Sequence, residues 1–362
     1  MNQIKNFLGV LHSGRIVDHA TLGATVSRDE DGRVVVSDIL DTSDVYRRGL
    51  RYGDEVLAIG GRSITTVNGL KNVLGIFPKG WRVPLSYRHE GQRHEVLVRL
   101  MGVHGTEELL EKVQKPAVQP KPKLQPKPKR GDKGPQPPEP QPMPMPHMPS
   151  KQAIPEQVKK FIQARKGYAN YYFNELNRER VWKSLVAHGD FSKTPDTWKL
   201  SGTAQDGSTV EIELRRDAVL GRFPGAAQVD LTKELGEQLL PTQSGGLLVA
   251  LHLWQRFLRL GPQHFGEVVY WGTAPVLGRE GLYDVLIGTH DVVETRFFCD
   301  PQSGQLIGLE MWPEPTVDPC EVYLDDFRAV PGGELPHRMT VRYGDKLFAE
   351  LKWKKIEYAA GK

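Results

Sequence analysis

The sequence predicts a multidomain protein. A first domain is followed by an α+β domain with a curved antiparallel sheet, and a Pro-rich disordered linker joins them. Three observations predict this. A chain of 362 residues has room for two or three domains. About half of its 27 prolines crowd into residues 115–155, among Lys, Gln and Met, and so divide it. Beyond that break, seven short strand-like stretches follow one another from Glu267 to Lys354 with brief turns between them.

Composition narrows the function. The formal net charge is +4, and much of the excess lies between Lys121 and Lys133, too local for a nucleic-acid footprint. No RNA- or DNA-binding motif is present. Apolar runs such as Gly246–Leu251 are too short to span a bilayer. Residues 1–15 hold the short run Phe7–Leu11 with no small-residue cleavage site after it, so no secretory signal is visible.

Taken in chain order, Ile4, Phe7, Leu8 and Leu11 follow the i, i+3, i+4, i+7 spacing of an amphipathic helix, with Gly14 to stop it. Then come Leu22-Gly23-Ala24, Gly32-Arg33-Val34-Val35-Val36, the stretch Ser43–Leu50, Gly53-Asp54-Glu55-Val56 running on to Gly60-Gly61-Arg62, and Arg88-His89-Glu90-Gly91. This order resembles the PDZ domains of bacterial HtrA-like, trypsin-like serine proteases. The protease domain itself is absent from this chain.

The resemblance implies a small β-barrel-like sandwich with two helices over residues 15–103, preceded by a linker helix over 1–14. In that family a connecting segment joins protease to PDZ domain, and here it begins almost at Met1, as in a chain that starts at a domain junction. A PDZ groove takes a peptide as an added strand along a free sheet edge, and its carboxylate needs a nest of backbone N–H groups. The resemblance puts that nest at Leu22, Gly23 and Ala24. The receiving strand would be Ala24–Arg28, including Val26. The groove helix would run from Val67 to Phe77 with Thr66 as its N-cap. Leu70, Val73 and Phe77 lie near a common stripe and are assigned to the side-chain pocket, while Val67 and Leu74 face the core. Two departures stand out. Thr21 occupies a position where an aromatic residue is common, and Ser43-Asp44-Val45 replaces the usual Ser-Pro-Ala, which changes a turn.

Residues 104–155 read as a short helix, Thr106–Val113, and then a Pro/Lys-rich spacer, because proline fixes φ and removes a donor. Service as a ligand for SH3-like domains is the alternative. The α+β domain occupies 156–362. Glu156–Ala187 reads as helix, and Trp198–Ser201 and Thr209–Leu214 as strands. A helix over Leu247–Leu260 is capped by Ser244 and ended by Gly261. The seven strands are Glu267–Trp271, Leu282–Thr289, Glu294–Cys299, Leu306–Trp312, Glu321–Phe327, His337–Arg342 and Leu347–Lys354. Asp300-Pro301-Gln302-Ser303-Gly304, the strand Glu321–Arg328 and Leu335-Pro336-His337-Arg338 resemble the LolA-like lipoprotein-carrier fold. They also resemble the C-terminal domains of planctomycete-type HtrA-like proteases. Fold likeness does not establish lipid carriage.

Catalytic constellations were sought. Gln243-Ser244-Gly245-Gly246 is superficially similar to a serine-protease nucleophile loop, but Thr242 precedes it and a helix follows, so capping explains it. His290, Asp291 and Glu294 lack a second metal-ligand cluster, and Asp325-Asp326 reads as a solvated pair. No phosphate loop or dinucleotide fingerprint occurs. Cys299 and Cys320 fall at opposite ends of a strand, roughly 15–20 Å apart, beyond disulfide reach.

The sequence therefore points to a non-catalytic peptide-binding chain. It resembles the post-protease part of an HtrA-family serine endopeptidase, with no cofactor and no metal. Its partners would be peptides or protein C-termini, and an upstream or separate protease domain. The alternative is a hydrophobic-ligand or lipoprotein carrier with the first domain as tether. The compartment is open, with the cell envelope or periplasm expected if the chain is part of a longer HtrA-like protein.

Overall fold

The computed structural model describes residues 2–114, 155–223 and 225–359. The spacer expected within 104–155 lies almost wholly outside these residues. In the first domain α1 spans Asn2–His12, β1 Ala20–Thr21, β2 Ala24–Arg28, β3 Val34–Ile39, α2 Asp44–Arg47, β4 Glu55–Ile59 and β5 Arg62–Ser63. Then come α3 Val67–Leu74, β6 Arg82–His89, β7 Gln92–Arg99, β8 Met101–Gly102 and α4 Thr106–Gln114. An open antiparallel sheet runs β2-β3-β4-β6-β7, with β5 on β4, and β1 pairs separately with β8. Val34 and Val36 on β3, Val56 and Ile59 on either side of a bulge in β4, and Leu85 on β6 point inward and close on Leu22, Leu50, Leu70 and Leu74.

In the second domain α5 spans Glu156–Lys159, α6 Tyr172–Val186, β9 Thr197–Ala204, β10 Thr209–Leu214, β11 Ala218–Phe223, β12 Gly225–Asp230 and α7 Leu247–His264. The remaining strands are β13 Glu267–Ala274, β14 Tyr283–His290, β15 Val293–Cys299, β16 Leu306–Trp312, β17 Cys320–Val330, β18 Gly333–Tyr343 and β19 Lys346–Ala359. All are antiparallel in one open sheet, ordered β12-β11-β10-β9-β19-β18-β17-β16-β15-β14-β13. The meander is thus broken once, where the last strand pairs with β9. α7 connects the two edge strands and packs across one face, with Phe257 stacked on Phe297 at 4.0 Å.

Three expectations are corrected. The single helix over 156–187 is two, because residues 160–171 leave the helix to run beside Gly14–Ile16: Ile16 N donates to Gly167 O at 2.9 Å and Ala169 N to Gly14 O at 2.8 Å. β11 and β12 were not foreseen; their Gly, Arg and Asp residues dilute the strand pattern. As expected, Gly261 ends the first helical stretch of α7, with φ +67 and ψ 177, and a second short stretch runs on to His264. On α1 the stripe Ile4, Leu8, Leu11 is exposed, and the packed side is Gly9 and Val10 against Gly272 and Thr273 of β13. An added Cβ at Gly9 would fall 2.2 Å from the Thr273 side chain, so the close approach selects the face.

Over β13 to β16 the second face of the sheet is also covered, by the first domain. On β14 to β16, Leu286, Phe297 and Leu309 face α7, while Val285, Phe298 and Ile307 join Trp81, Val83 and Leu100 in a shared core with the first domain. Trp81 Nε1 donates to Thr273 O at 2.9 Å. Among the described residues no helix is long and apolar enough to cross a membrane.

Candidate functional site

β2 is an edge strand, and α3 packs beside it. α3 starts where expected, because Thr66 is extended and its Oγ1 accepts the Gly69 amide at 2.9 Å. It ends at Leu74, three residues short of the expected Phe77. Leu70 and Leu74 are buried in the core cluster. Val73 and Val26 are half-buried at its margin, and Thr25 and Ser27 on β2 are exposed. Phe77 lies in the loop after the helix, its ring under Gly60 and 6.2 Å from Trp81.

The turn into β2 is Leu22-Gly23-Ala24. Leu22 is fully buried and anchors it. Gly23 takes φ +76, and an added Cβ would lie 2.7 Å from both Met101 Sδ and Ser43 Cβ. Its N–H donates to Thr21 Oγ1 at 3.3 Å, and its carbonyl accepts from Leu40 N at 2.9 Å. Gly23 is thus a left-handed residue directly ahead of an edge strand, a conformation glycine adopts without a Cβ penalty.

Behind this turn, Ser43 Oγ donates to Leu40 O at 2.5 Å and accepts from Tyr46 N at 3.3 Å, capping α2. Asp44 does more than alter a turn. Its carboxylate accepts from Arg99 N at 2.5 Å and Arg47 at 3.0 Å, and lies 3.3 Å from Arg48. Arg48 in turn makes a two-pronged pair with Asp318 of the second domain, at 2.6 and 3.0 Å. Burial pushes the Asp318 carboxyl up, but hydrogen bonds and charge from Arg48, aided by Arg47, hold it below the usual carboxylate range.

Two further pairs cross the same seam. Arg82 donates to Glu321 at 2.6 Å, and Arg99 to Glu310 at 2.8 Å. Burial pushes the Glu321 carboxyl up even though Arg82 opposes it, and Glu310 adds to the rise. Tyr323 donates to the other Glu321 oxygen at 2.6 Å. Asp318, Glu321 and Glu310 were not picked out from the sequence as seam residues. For Glu310 and Glu321 the available cue was an acidic residue within an apolar strand, as in Leu-Glu-Met-Trp of β16; Asp318, in the loop before β17, carried no such cue.

The catalytic candidates stay apart. Ser244 Oγ donates to Pro241 O at 2.6 Å and accepts from Leu247 N at 3.0 Å, so it is engaged at the helix start. His290 faces Phe265 and His252, Glu294 pairs with Arg296 at 3.1 Å, and Asp291 sits in a turn. Asp325 pairs with Arg279 at 2.7 Å and Asp326 with Arg328 at 2.6 Å. Among the described residues no three His, Cys, Asp or Glu side chains are grouped to hold a metal. Cys299 and Cys320 are buried free thiols on strands flanking β16, opposite Leu306 and Met311. In the second domain, the cavity walled by Leu185, Phe191, Trp254, Leu306 and Leu335 measures about 20 Å³, room for one water.

Residues 14–88 match the PDZ domain family model, and they form a PDZ domain. No curated protein matches the chain. Solved structures similar to parts of it include a serine endoprotease from Yersinia pestis, at 15% identity and TM-score 0.21, covering 24% of this chain and 30% of that one. An HtrA-type protease with decapeptide is similar at 17% identity and TM-score 0.24, over 28% of this chain and 34% of that one. The chain thus spans about a third of each protease. A LolA superfamily protein from Nitrosomonas europaea is similar at 9% identity and TM-score 0.33, over 51% of this chain and 94% of that one. At these TM-scores the likenesses decide nothing about the chain as a whole.

Proposed function

We propose that this chain is a non-catalytic peptide-recognition and regulatory protein. Its PDZ domain captures C-terminal or extended peptides as an added strand, as the resemblance to the post-protease part of HtrA-like proteases implies. The observation that carries the reading is the outer edge of β2, which has no strand partner among the described residues and is entered through the left-handed Gly23.

In this reading the peptide's main chain bonds along Ala24–Arg28, and its carboxylate rests on the amides of Leu22, Gly23 and Ala24. Its terminal side chain packs against Val26, Leu70 and Val73, with Phe77 closing the far end. Those walls are apolar, so the preferred last residue is apolar. The activity it regulates belongs to a protease domain, in the same or a separate polypeptide.

The test is fluorescence polarisation with labelled decapeptides ending in Val, Leu or Phe, each with a free carboxylate or a terminal amide, against the full chain. A free carboxylate should tighten binding at least tenfold. Equal affinities for acid and amide would refute the nest, and no binding of either would refute strand addition.

A further inference from the structure

A second pocket, of about 230 Å³, opens where four separated segments meet. Arg15, Ile16 and Asp18 lie on the segment leaving α1, and Lys79 follows α3. Leu109 and Leu110 belong to α4, and Lys166, Gly167 and Tyr168 precede α6. An antiparallel bridge between Arg15 and Tyr168 fixes two of its walls.

The charges lining it are unevenly used. Asp18 is saturated: one oxygen accepts from His104 N at 2.6 Å, and the other faces His104 Nδ1 and accepts from His19 N, each at 2.9 Å. Lys166 is paired with Glu107 at 2.7 Å. The Arg15 guanidinium, the Lys79 ammonium and the Tyr168 hydroxyl make no hydrogen bond or ion pair to any described residue. Burial lowers the pKa of both cations; Arg296 lowers both further and Arg15 lowers Lys79, while Tyr168 and Glu294 oppose the shift at Arg15, and Asp18 and Glu294 oppose it at Lys79. Half-buried cations without partners are costly, and a fork of guanidinium donors beside an ammonium suits a multi-oxygen anion.

We infer that this pocket binds a phosphate-ester anion, its oxygens held by Arg15, Lys79 and Tyr168 and its apolar body set against Ile16, Leu109 and Leu110. It is separate from the peptide groove and independent of the function proposed above. The shared chemistry is a phosphate monoester, which a soluble metabolite or a lipid headgroup could supply.

The test is thermal unfolding of the full chain with phenyl phosphate or inorganic phosphate, against chloride at equal ionic strength. Phenyl phosphate in tenfold excess over its Kd should raise the wild-type Tm by about 2 °C or more. Lys79→Met should melt no lower than wild type in chloride and lose the response. Tyr168→Phe, which removes one oxygen, should weaken it several-fold. Sedimentation with vesicles containing phosphatidic acid, but not with phosphatidylcholine alone, and dependent on Lys79, would identify a lipid headgroup. A phenyl phosphate response without vesicle binding would identify a soluble ester. No response to either probe, or an equal response in Lys79→Met, would overturn the inference.

Discussion

Replacing Arg82 with Met should destabilise the protein by an amount that depends steeply on pH. Arg82 and Glu321 are 9% and 1% exposed and 2.6 Å apart, so the variant strands a carboxylate in the seam between the domains. Removing one partner of a buried pair costs about 3–5 kcal/mol. The carboxyl has an escape, because it can take up a proton while Tyr323 still faces it. At about 1.36 kcal/mol per pH unit and an unfolded pKa of about 4.3, protonation at pH 7 costs roughly 3.7 kcal/mol, which caps the loss. At pH 5 the same escape costs only about 1 kcal/mol. The folded pKa is raised, so stability in the variant is fully present below pH about 4.3 and falls as pH rises towards the folded value. Urea unfolding of wild type, Arg82→Met, Glu321→Gln and the double variant at pH 5 and 7 measures this. The single arginine variant should lose about 3 kcal/mol at pH 7 and about 1 at pH 5, and the Glu321→Gln background should remove most of that slope. A deficit under 0.5 kcal/mol at pH 7, or one equal at both pH values, would refute the reasoning.

Three further outcomes are expected. Gly23→Ala places a Cβ at φ +76 and 2.7 Å from Met101 and Ser43, so it should cost about 1–2 kcal/mol and weaken free-carboxylate peptides at least tenfold while leaving amidated ones unchanged; polarisation titrations check this. Asp318 has a lowered folded pKa, so its contribution is present above about pH 3.9 and lost as pH falls through the folded value; Tm measured from pH 5 to pH 3 should drop more for wild type than for Asp318→Asn. Burial pushes both thiols up, so Cys299 and Cys320 should resist a thiol-specific dye in the native protein at pH 8 and react fully in guanidinium; rapid native labelling would contradict their placement.

The first domain was legible because its motifs are local. Thr66 before an apolar run sets the start of α3, and Gly23 before alternating residues sets the entry to β2, with no need of distant partners. The thiol separation was legible too, since strand rise alone fixes it. What escaped the sequence depended on contacts made far along the chain. The break at residues 160–171 follows from pairing with Gly14–Ile16, about 150 positions earlier, and the exposed stripe on α1 follows from the space beside Gly272. Helical spacing identifies an apolar face but not whether a tighter approach is available on another.

The covered second face of the large sheet is the instructive case. A strand with one solvated face alternates apolar and polar residues. Val285-Leu286-Ile287, Phe297-Phe298 and Leu306-Ile307 do not alternate, and each pair divides between α7 and the PDZ domain. Such runs therefore announce a partner on both faces before the partner is known. The partner's seam lies at Arg82 and Arg99, which face each other across β6 and β7, whereas the edge proposed for the peptide is β2 at the far side of the same small sheet. Strand addition at β2 thus requires no contact of the seam to break. The chain Gly23, Ser43, Asp44, Arg48, Asp318 still links the turn into β2 to the large sheet through packed and hydrogen-bonded neighbours. In the proposed reading, a groove free at one edge and fixed at the other would present a captured peptide in one orientation relative to the second domain, which a PDZ domain on a loose tether could not do.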